Sequence, residues 1–314
     1  HVRDSERDLD AKAPDLLGAL LLALAVGLFA LGLVQSPEWG WENPATIGAL
    51  AASGLTALLF VWRSRRHLAP VINPALLRIR SFMWANSGML VFNIGFSANT
   101  LIYVLWMQQV WDWPAWRTGL AVAPGPAMVP ITVALTSRFL RGVAPARLAT
   151  IGALVVAAAT AYIAINFGLE ANYWTGFFPA TVVSGMGVGL ASPNLMASAA
   201  QELPPAQSST GAAMMTMARQ IGYVIGISVL FAIIGAQEGA PDGFRAALWV
   251  SFGALIVASL AGLGIAAART TPRPTPGARE EGEREEPEAG EPEVDEPEMD
   301  EPEMDAPEAA PERA

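Results

Sequence analysis

The sequence predicts an all-α integral membrane protein with eight transmembrane helices and a charged tail, on three observations. Of 314 residues, 53% are hydrophobic and only 15% charged, far from the mix of a water-soluble domain. Eight stretches are continuously apolar over about the 20 residues that a helix needs to cross a 30 Å hydrocarbon core. The formal charge of −10 is local: Arg279 to Ala314 holds 17 acidic and 3 basic residues, so the body before it is weakly basic.

The spans follow in order. Span A is Leu16 to Val34, span B Pro44 to Trp62, span C Phe82 to Met107 and span D Thr118 to Ser137. Spans E, F, G and H are Leu148 to Gly168, Thr175 to Ala199, Ala212 to Gly235 and Phe244 to Ala268. Backbone amides in hydrocarbon must be satisfied within the segment, and barrel strands are short and alternating, so runs of this length mean helices. A signal-peptide reading of span A fails on its length and on the QSPEWGW exit, which offers no small-residue cleavage site.

Loop charge sets the expected orientation. Arg3, Arg7, Lys12, Arg63, Arg65, Arg66, Arg78, Arg80, Arg138, Arg141, Arg147, Arg269 and Arg273 fall on one side, against Arg117 and Arg245 on the other. Positive residues remain inside, so both termini of this chain are expected in the cytoplasm of a plasma-membrane protein. Trp39, Trp41, Trp111, Trp113, Trp116 and Trp174 gather at the opposite interface, where an amphipathic indole is best accommodated.

This gives five segments: a cytoplasmic stretch 1–14, a two-helix insert 15–62, a basic loop 63–81, a six-helix unit 82–268 and a tail 269–314. The tail contains EPEVD, EPEMD and EPEMD between Glu291 and Asp305. Proline this frequent with so little apolar content predicts disorder. It is read as a solvated tail or as an electrostatic arm for the Arg63 to Arg80 loop.

Several chemistries are excluded. There is no cysteine, so disulfides, thiolate metal sites and a cysteine nucleophile are ruled out. His1 and His67 are the only histidines, too few for a zinc site or a Ser-His-Asp triad in a credible setting. The chain is therefore not expected to be an enzyme, to bind a metal or cofactor, or to recognise nucleic acid. The GMGVG run from Gly185 to Gly189 lies inside an apolar span with no strand before it, which reads as close helix packing and not a dinucleotide fingerprint.

Polar residues within the spans mark candidate function. Arg219 is the single ionisable group well inside a span, and no Asp or Glu lies mid-span. An arginine near the bilayer centre costs about 2.5 to 3.5 kcal/mol on insertion scales, so Arg219 is expected to face protein or water, either pinning span G or serving substrate binding or gating. Thr216, Arg219, Tyr223 and Gly226 share a face, and Gly222 with Gly226 forms a GxxxG pair that permits close helix approach.

In span C, Asn86, Asn93, Ser97 and Thr100 fall within about 60° of one another on a helix. Such a stripe lines a wet cavity or glues two helices. Four polar residues exceed what one helix contact requires, which favours the cavity. Pro124, Gly125, Pro126 and Pro130 break the amide ladder of span D and make it a candidate hinge.

These residues carry a family resemblance. Ala218 to Leu230, ARQIGYVIGISVL, looks like the RQxGxxxGxxxL segment of fourteen-span drug:proton antiporters of the major facilitator superfamily, the EmrB/QacA-like branch. Gln108 to Gly125, QQVWDWPAWRTGLAVAPG, is similar to that branch's LQxVxGxSPxxAGLxxLPG stretch, and span A with its PEWGW exit matches the first of its two inserted helices. Arg138 to Arg147, RFLRGVAPAR, keeps the arginines of a degenerate GxxxDRxGRR loop but lacks its acid.

The resemblance covers Pro14 to Arg269 and implies six spans upstream, so a chain beginning at His1 is expected to be the C-terminal fragment of a transporter. It implies proton-driven export of small amphipathic compounds by alternating access. The partners expected are the bilayer, a small-molecule substrate and an N-terminal six-helix half. Asn86, Asn93, Ser97, Thr100, Arg219 and Gln220 are the candidate cavity residues, and Gly222, Gly226, Pro124, Gly125 and Pro126 the candidate packing and hinge residues. The competing reading is a non-transporting scaffold, or one subunit of a split transporter.

Overall fold

Apolar runs interrupted by capping residues set the helix boundaries. In a computed structural model, which describes residues 15–67, 72, 74–166, 168, 170–201, 203, 207–236 and 241–270, every regular element among these is helical. Residues 1–14 and the tail beyond 270 lie outside the described residues, and with them the readings of a disordered tail or electrostatic arm.

Helix α1 (Leu16–Trp39) is capped by Asp15, whose carboxylate accepts from Gly18 N–H, and α2 (Pro44–Ser64) by Asn43 over a Pro at its first turn. They form a hairpin: Ser53 Oγ donates to Ala25 O at 2.7 Å, and Arg63 Nε reaches the Asp15 carboxylate at 2.8 Å. A four-residue helix α3 (Pro74–Leu77) leads into α4 (Arg80–Gln109), which begins two residues before the expected span.

Span D divides where its prolines predict. Helix α5 (Ala115–Val122) ends at Ala123 and α6 (Pro124–Phe139) starts beyond it, because prolines at 124, 126 and 130 have no N–H for the carbonyls of Leu120, Val122 and Pro126. Helix α7 (Pro145–Asn166) follows, then a π turn (Tyr173–Phe177) opening into α8 (Phe178–Ala200), α9 (Ser208–Ala236) and α10 (Pro241–Thr270).

Where eight spans are expected, seven helices or helix pairs among the described residues are long and apolar enough to cross a bilayer, with α5 and α6 counting as one. The difference is α8. Its 23 residues reach about 34 Å, enough to span. Its glycines, serines, Pro193 and Asn194 dilute its hydropathy.

Packing explains that composition. On α8 a Cβ at Gly187 would sit 2.6 Å from Val156 Cγ2 and 2.8 Å from Gly152 O on α7, while one at Gly189 would sit 2.8 Å from Thr132 Cβ on α6. The glycines let α8 lie against two neighbours at backbone distance.

Two apolar clusters fix the helix directions. One joins Phe82 to Phe92 of α4, Ala146 to Ala157 of α7, Ala191 to Ala199 of α8, Met214 and Met215 of α9, and Leu255 to Ile265 of α10. The other joins the opposite ends of the same helices, including Ile102, Trp106, Ile163, Phe177, Leu230 and Phe244. Helices α4, α7 and α9 therefore run one way, α8 and α10 the other. Arg78, Arg80 and Arg147 flank the first cluster, and Trp111, Trp113 and Tyr173 the second.

Outward faces keep leucine, isoleucine and tryptophan exposed, among them Leu58, Ile165 and Trp174. Such a continuous apolar surface fits lipid and not water.

Candidate functional site

Three helix faces border an open cavity of about 260 Å³. Phe96, Thr100 and Tyr103 come from α4. Val122, Gly125, Pro126 and Val129 come from the broken α5–α6 segment, and Thr181, Ser184, Gly185 and Val188 from α8. Each set follows helical spacing of three and four residues, so each is one face of its helix.

The cavity exists because of local backbone chemistry. Pro124 and Pro126 remove two rungs from the amide ladder at the α5–α6 junction. Gly125 packs close to α8: a Cβ there would meet Thr181 Cγ2 at 2.9 Å, and one at Gly185 would collide with Gly125 O. Helix α8 stays close to α6 at Gly189 as well, where a Cβ would lie 2.9 Å from Val129 O, so these two helices form one continuous wall of the void.

Most of the lining is carbon. Thr100 Oγ1 donates to Phe96 O at 2.9 Å and Thr181 Oγ1 to Phe177 O at 3.0 Å, so both hydroxyls are occupied by their own helices. Tyr103 is nearly fully buried, its ring edge-to-face with Phe177 at 4.9 Å. No charged side chain lines the wall.

The candidate cavity residues fall into different settings in the structure. Of the polar stripe on α4, Thr100 alone lines the void. Asn93 and Ser97 are buried in the seam between α4 and α9. Asn93 Nδ2 donates to Met89 O at 2.7 Å, and Ser97 Oγ donates to Ile94 O and Tyr223 O, both at 3.3 Å. Ser97 bonds across the seam to α9, whereas Asn93 bonds within α4 and only packs against it. The stripe looked too polar for one contact because two of its residues spend hydrogen bonds on their own helix.

Asn86 is half-buried, with its Oδ1 unpartnered, and also lies outside the cavity wall. Arg219 and Gln220 are exposed on α9 and do not line it either. Arg219 sits one turn before Tyr223, whose ring meets Phe96 edge-to-face at 6.4 Å. Neither Arg219 nor Tyr223 is part of the wall.

Gly222 and Gly226 form the other half of the seam. A Cβ on Gly222 would stand 2.5 Å from Leu90 O, and one on Gly226 would overlap Ile94 O and Ser97 Oγ. Gly125 and Pro126 line the cavity, and Pro124 opens α6 just before them. Residues that sequence reasoning missed are Phe96, Tyr103, Thr181, Ser184 and Val188. Their signal was the spacing of 181, 184, 185 and 188 on one face, hidden because apolar and small residues there look like ordinary packing.

Outside the membrane segments, burial works against ionisation of Asp15, but the Gly18 N–H, the Arg63 guanidinium and the charge on His67 outweigh it. Together they hold its carboxyl below the usual carboxylate range. Among the described residues no group of three or more His, Cys, Asp or Glu side chains is placed to hold a metal ion.

Fold and site together define a polytopic α-helical membrane protein with a cavity at a proline-broken helix. Residues 145–297 match the Major Facilitator Superfamily family, and the architecture is consistent with that fold.

Among curated proteins, the chain is 27% identical over 229 residues to the Multidrug resistance protein B homolog of Mycobacterium tuberculosis (strain ATCC 25618 / H37Rv), covering 71% of this chain and 42% of that protein. It is 26% identical over 257 residues to the Methylenomycin A resistance protein of Streptomyces coelicolor, covering 82% and 53%. To the Cephamycin export protein CmcT of Amycolatopsis lactamdurans it is 29% identical over 236 residues, covering 72% and 47%. The chain thus spans about half the length of the curated relatives it matches.

Proposed function

We propose that this chain is the C-terminal part of a proton-coupled exporter of small amphipathic compounds, of the fourteen-span drug:proton antiporter branch. In this reading α4 to α10 form the second six-span half and α1 with α2 the inserted pair. The end bearing Arg78, Arg80 and Arg147 faces the cytoplasm of a plasma-membrane protein.

The observation that carries the reading is the apolar cavity between α4, α5–α6 and α8, placed where the amide ladder is already broken. Transporters place unwound backbone at substrate sites because freed carbonyls and slack helix turns are tolerated only around a cavity. The relatives' names, which speak of drug resistance and antibiotic export, support the same direction. One proton moving through about 100 mV releases about 2.3 kcal/mol, enough for a substrate gradient of roughly fifty-fold.

The test is accumulation of a fluorescent amphipathic dye in cells expressing the complete protein, with and without collapse of the proton gradient. Val129→Trp fills the cavity and is expected to abolish efflux while leaving the amount of protein in the membrane unchanged. Equal accumulation in expressing and non-expressing cells, or efflux indifferent to Val129→Trp, would refute the proposal.

A further inference from the structure

The aromatic end of the bundle carries a second open cavity, of about 340 Å³, where the start of α5 meets the π turn before α8. Trp113, Arg117 and Leu120 form one side of it, Tyr173 and Trp174 the other. The Arg117 guanidinium carbon lies over the Trp113 ring, 3.9 Å from its centroid. Trp113 packs on Tyr173 at 5.8 Å and Tyr173 on Trp174 at 5.0 Å between ring centroids. The Tyr173 hydroxyl donates to Ala121 O at 3.1 Å, which ties the π turn to α5 and spends its proton there.

Arg117 is the charged group of this wall, and its donors are unused. Asp112 and Glu170 stand in the adjoining loops, yet among the described residues Arg117 forms no ion pair and no side-chain hydrogen bond. A guanidinium over an indole gives the ring one face and keeps its N–H groups, which lie in its own plane, for another partner. Such a fork matches the paired oxygens of a phosphate or carboxylate.

The surroundings decide which oxyanion. Leu120 is 67% exposed one turn beyond Arg117 on the same side of α5, and Trp174 is 74% exposed. Further along the broken segment Ile131 and Leu135 are exposed as well. A small soluble anion gains nothing from this apolar border, whereas a lipid lays its chains along it. The depth agrees, because indole and phenol rings gather at the headgroup level of a bilayer.

We propose that this cavity is a phospholipid site. Arg117, braced by Trp113, holds the headgroup phosphodiester, while Leu120 and Trp174 border the first carbons of an acyl chain. The lipid bridges α5 and the π turn, the two elements already joined by Tyr173. This assignment is independent of what the protein transports.

The test uses the full chain in dodecyl maltoside micelles and a phosphatidylglycerol with a diazirine at the glycerol end of one acyl chain. Adducts are mapped by mass spectrometry, and labelling is expected to concentrate on the peptides carrying Leu120 and Trp174. Dioleoylphosphatidylglycerol should compete about tenfold or more better than dioleoylglycerol, which has the same chains without the phosphate, as one charge-assisted hydrogen bond requires. Glycerol 3-phosphate, a headgroup without chains, should not compete at the same concentration.

Arg117→Gln should remove most of the labelling, and Arg117→Lys, which keeps the charge but not the fork, should retain part of it. Labelling spread evenly over the exposed faces of α1 and α2, equal competition by dioleoylglycerol, or labelling that survives Arg117→Gln would overturn the proposal. Competition by glycerol 3-phosphate equal to that of the lipid would also overturn it and make this a site for a soluble phosphate. The wild-type competition needs no variant, so it decides even if a substitution disturbs folding.

Discussion

Placing a methyl group on Gly222 tests the seam on which the six-helix unit turns. A Cβ there would lie 2.5 Å from Leu90 O and 3.0 Å from Asn93 Cβ. The first is a backbone oxygen locked in the α4 ladder, so it cannot swing aside. Ordinary contact begins near 3.4 Å, so α9 must retreat by about 0.9 Å. A gap of about 0.5 to 1 Å already forfeits a quarter to a half of each dispersion contact along the seam, and overpacking of this kind costs about 1 to 3 kcal/mol.

Replacing glycine by alanine also gains up to about 1 kcal/mol in helix propensity, which works in the opposite direction. Gly253→Ala on α10 isolates that gain, because a Cβ there meets nothing within 4 Å. The assay is reversible unfolding in mixed micelles, followed by far-ultraviolet circular dichroism. Gly253→Ala should be neutral or mildly stabilising and Gly222→Ala destabilising by about 1 to 2 kcal/mol. Gly226→Ala should cost at least as much, and the double variant less than the sum because both methyls push on the same wall. Equal midpoints for Gly222→Ala and Gly253→Ala would refute the packing argument.

Three further outcomes are expected. Asn93→Ala should lower the unfolding midpoint and the yield while leaving the order of substrate preference unchanged in the accumulation assay, since Asn93 is buried in the seam; a changed preference with unchanged stability would return it to the cavity. Asp15 has a folded-state pKa below its unfolded value of about 3.9, so its contribution is fully present above that value and is lost as pH falls through the lowered one. A melting curve against pH should therefore show an acid limb that Asp15→Asn removes, and an unchanged limb would show that the Arg63 pair adds no stability. Pro124→Ala with Pro126→Ala supplies the two missing N–H groups for Leu120 and Val122, which should raise thermal stability while slowing dye efflux; unimpaired efflux would remove the hinge role.

Sequence reading reached far into this fold and less far into its site. Span positions were legible because hydrocarbon admits only internally bonded helices about 20 residues long, a constraint that acts on each segment alone. The break in span D was legible for the same reason, since proline's missing N–H is a property of the residue and not of its neighbours. Span F was read as apolar throughout, yet α8 is the helix whose glycines and serines trade hydropathy for close approach to α6 and α7.

What the sequence by itself determined is an α-helical membrane protein, with its basic loops, its aromatic belt and a helix broken by proline, because each follows from local hydropathy, charge and backbone chemistry. What only the tertiary structure decided is which side of a polar stripe meets a helix and which meets a void. Asn93 and Thr100 fall on the same face by helical arithmetic, but α9 crosses α4 at Gly222 and Gly226 and buries the first, while the divergence of α6 from α4 opens a cavity beside the second. That outcome depends on where two other helices pass, and no periodicity within span C contains it.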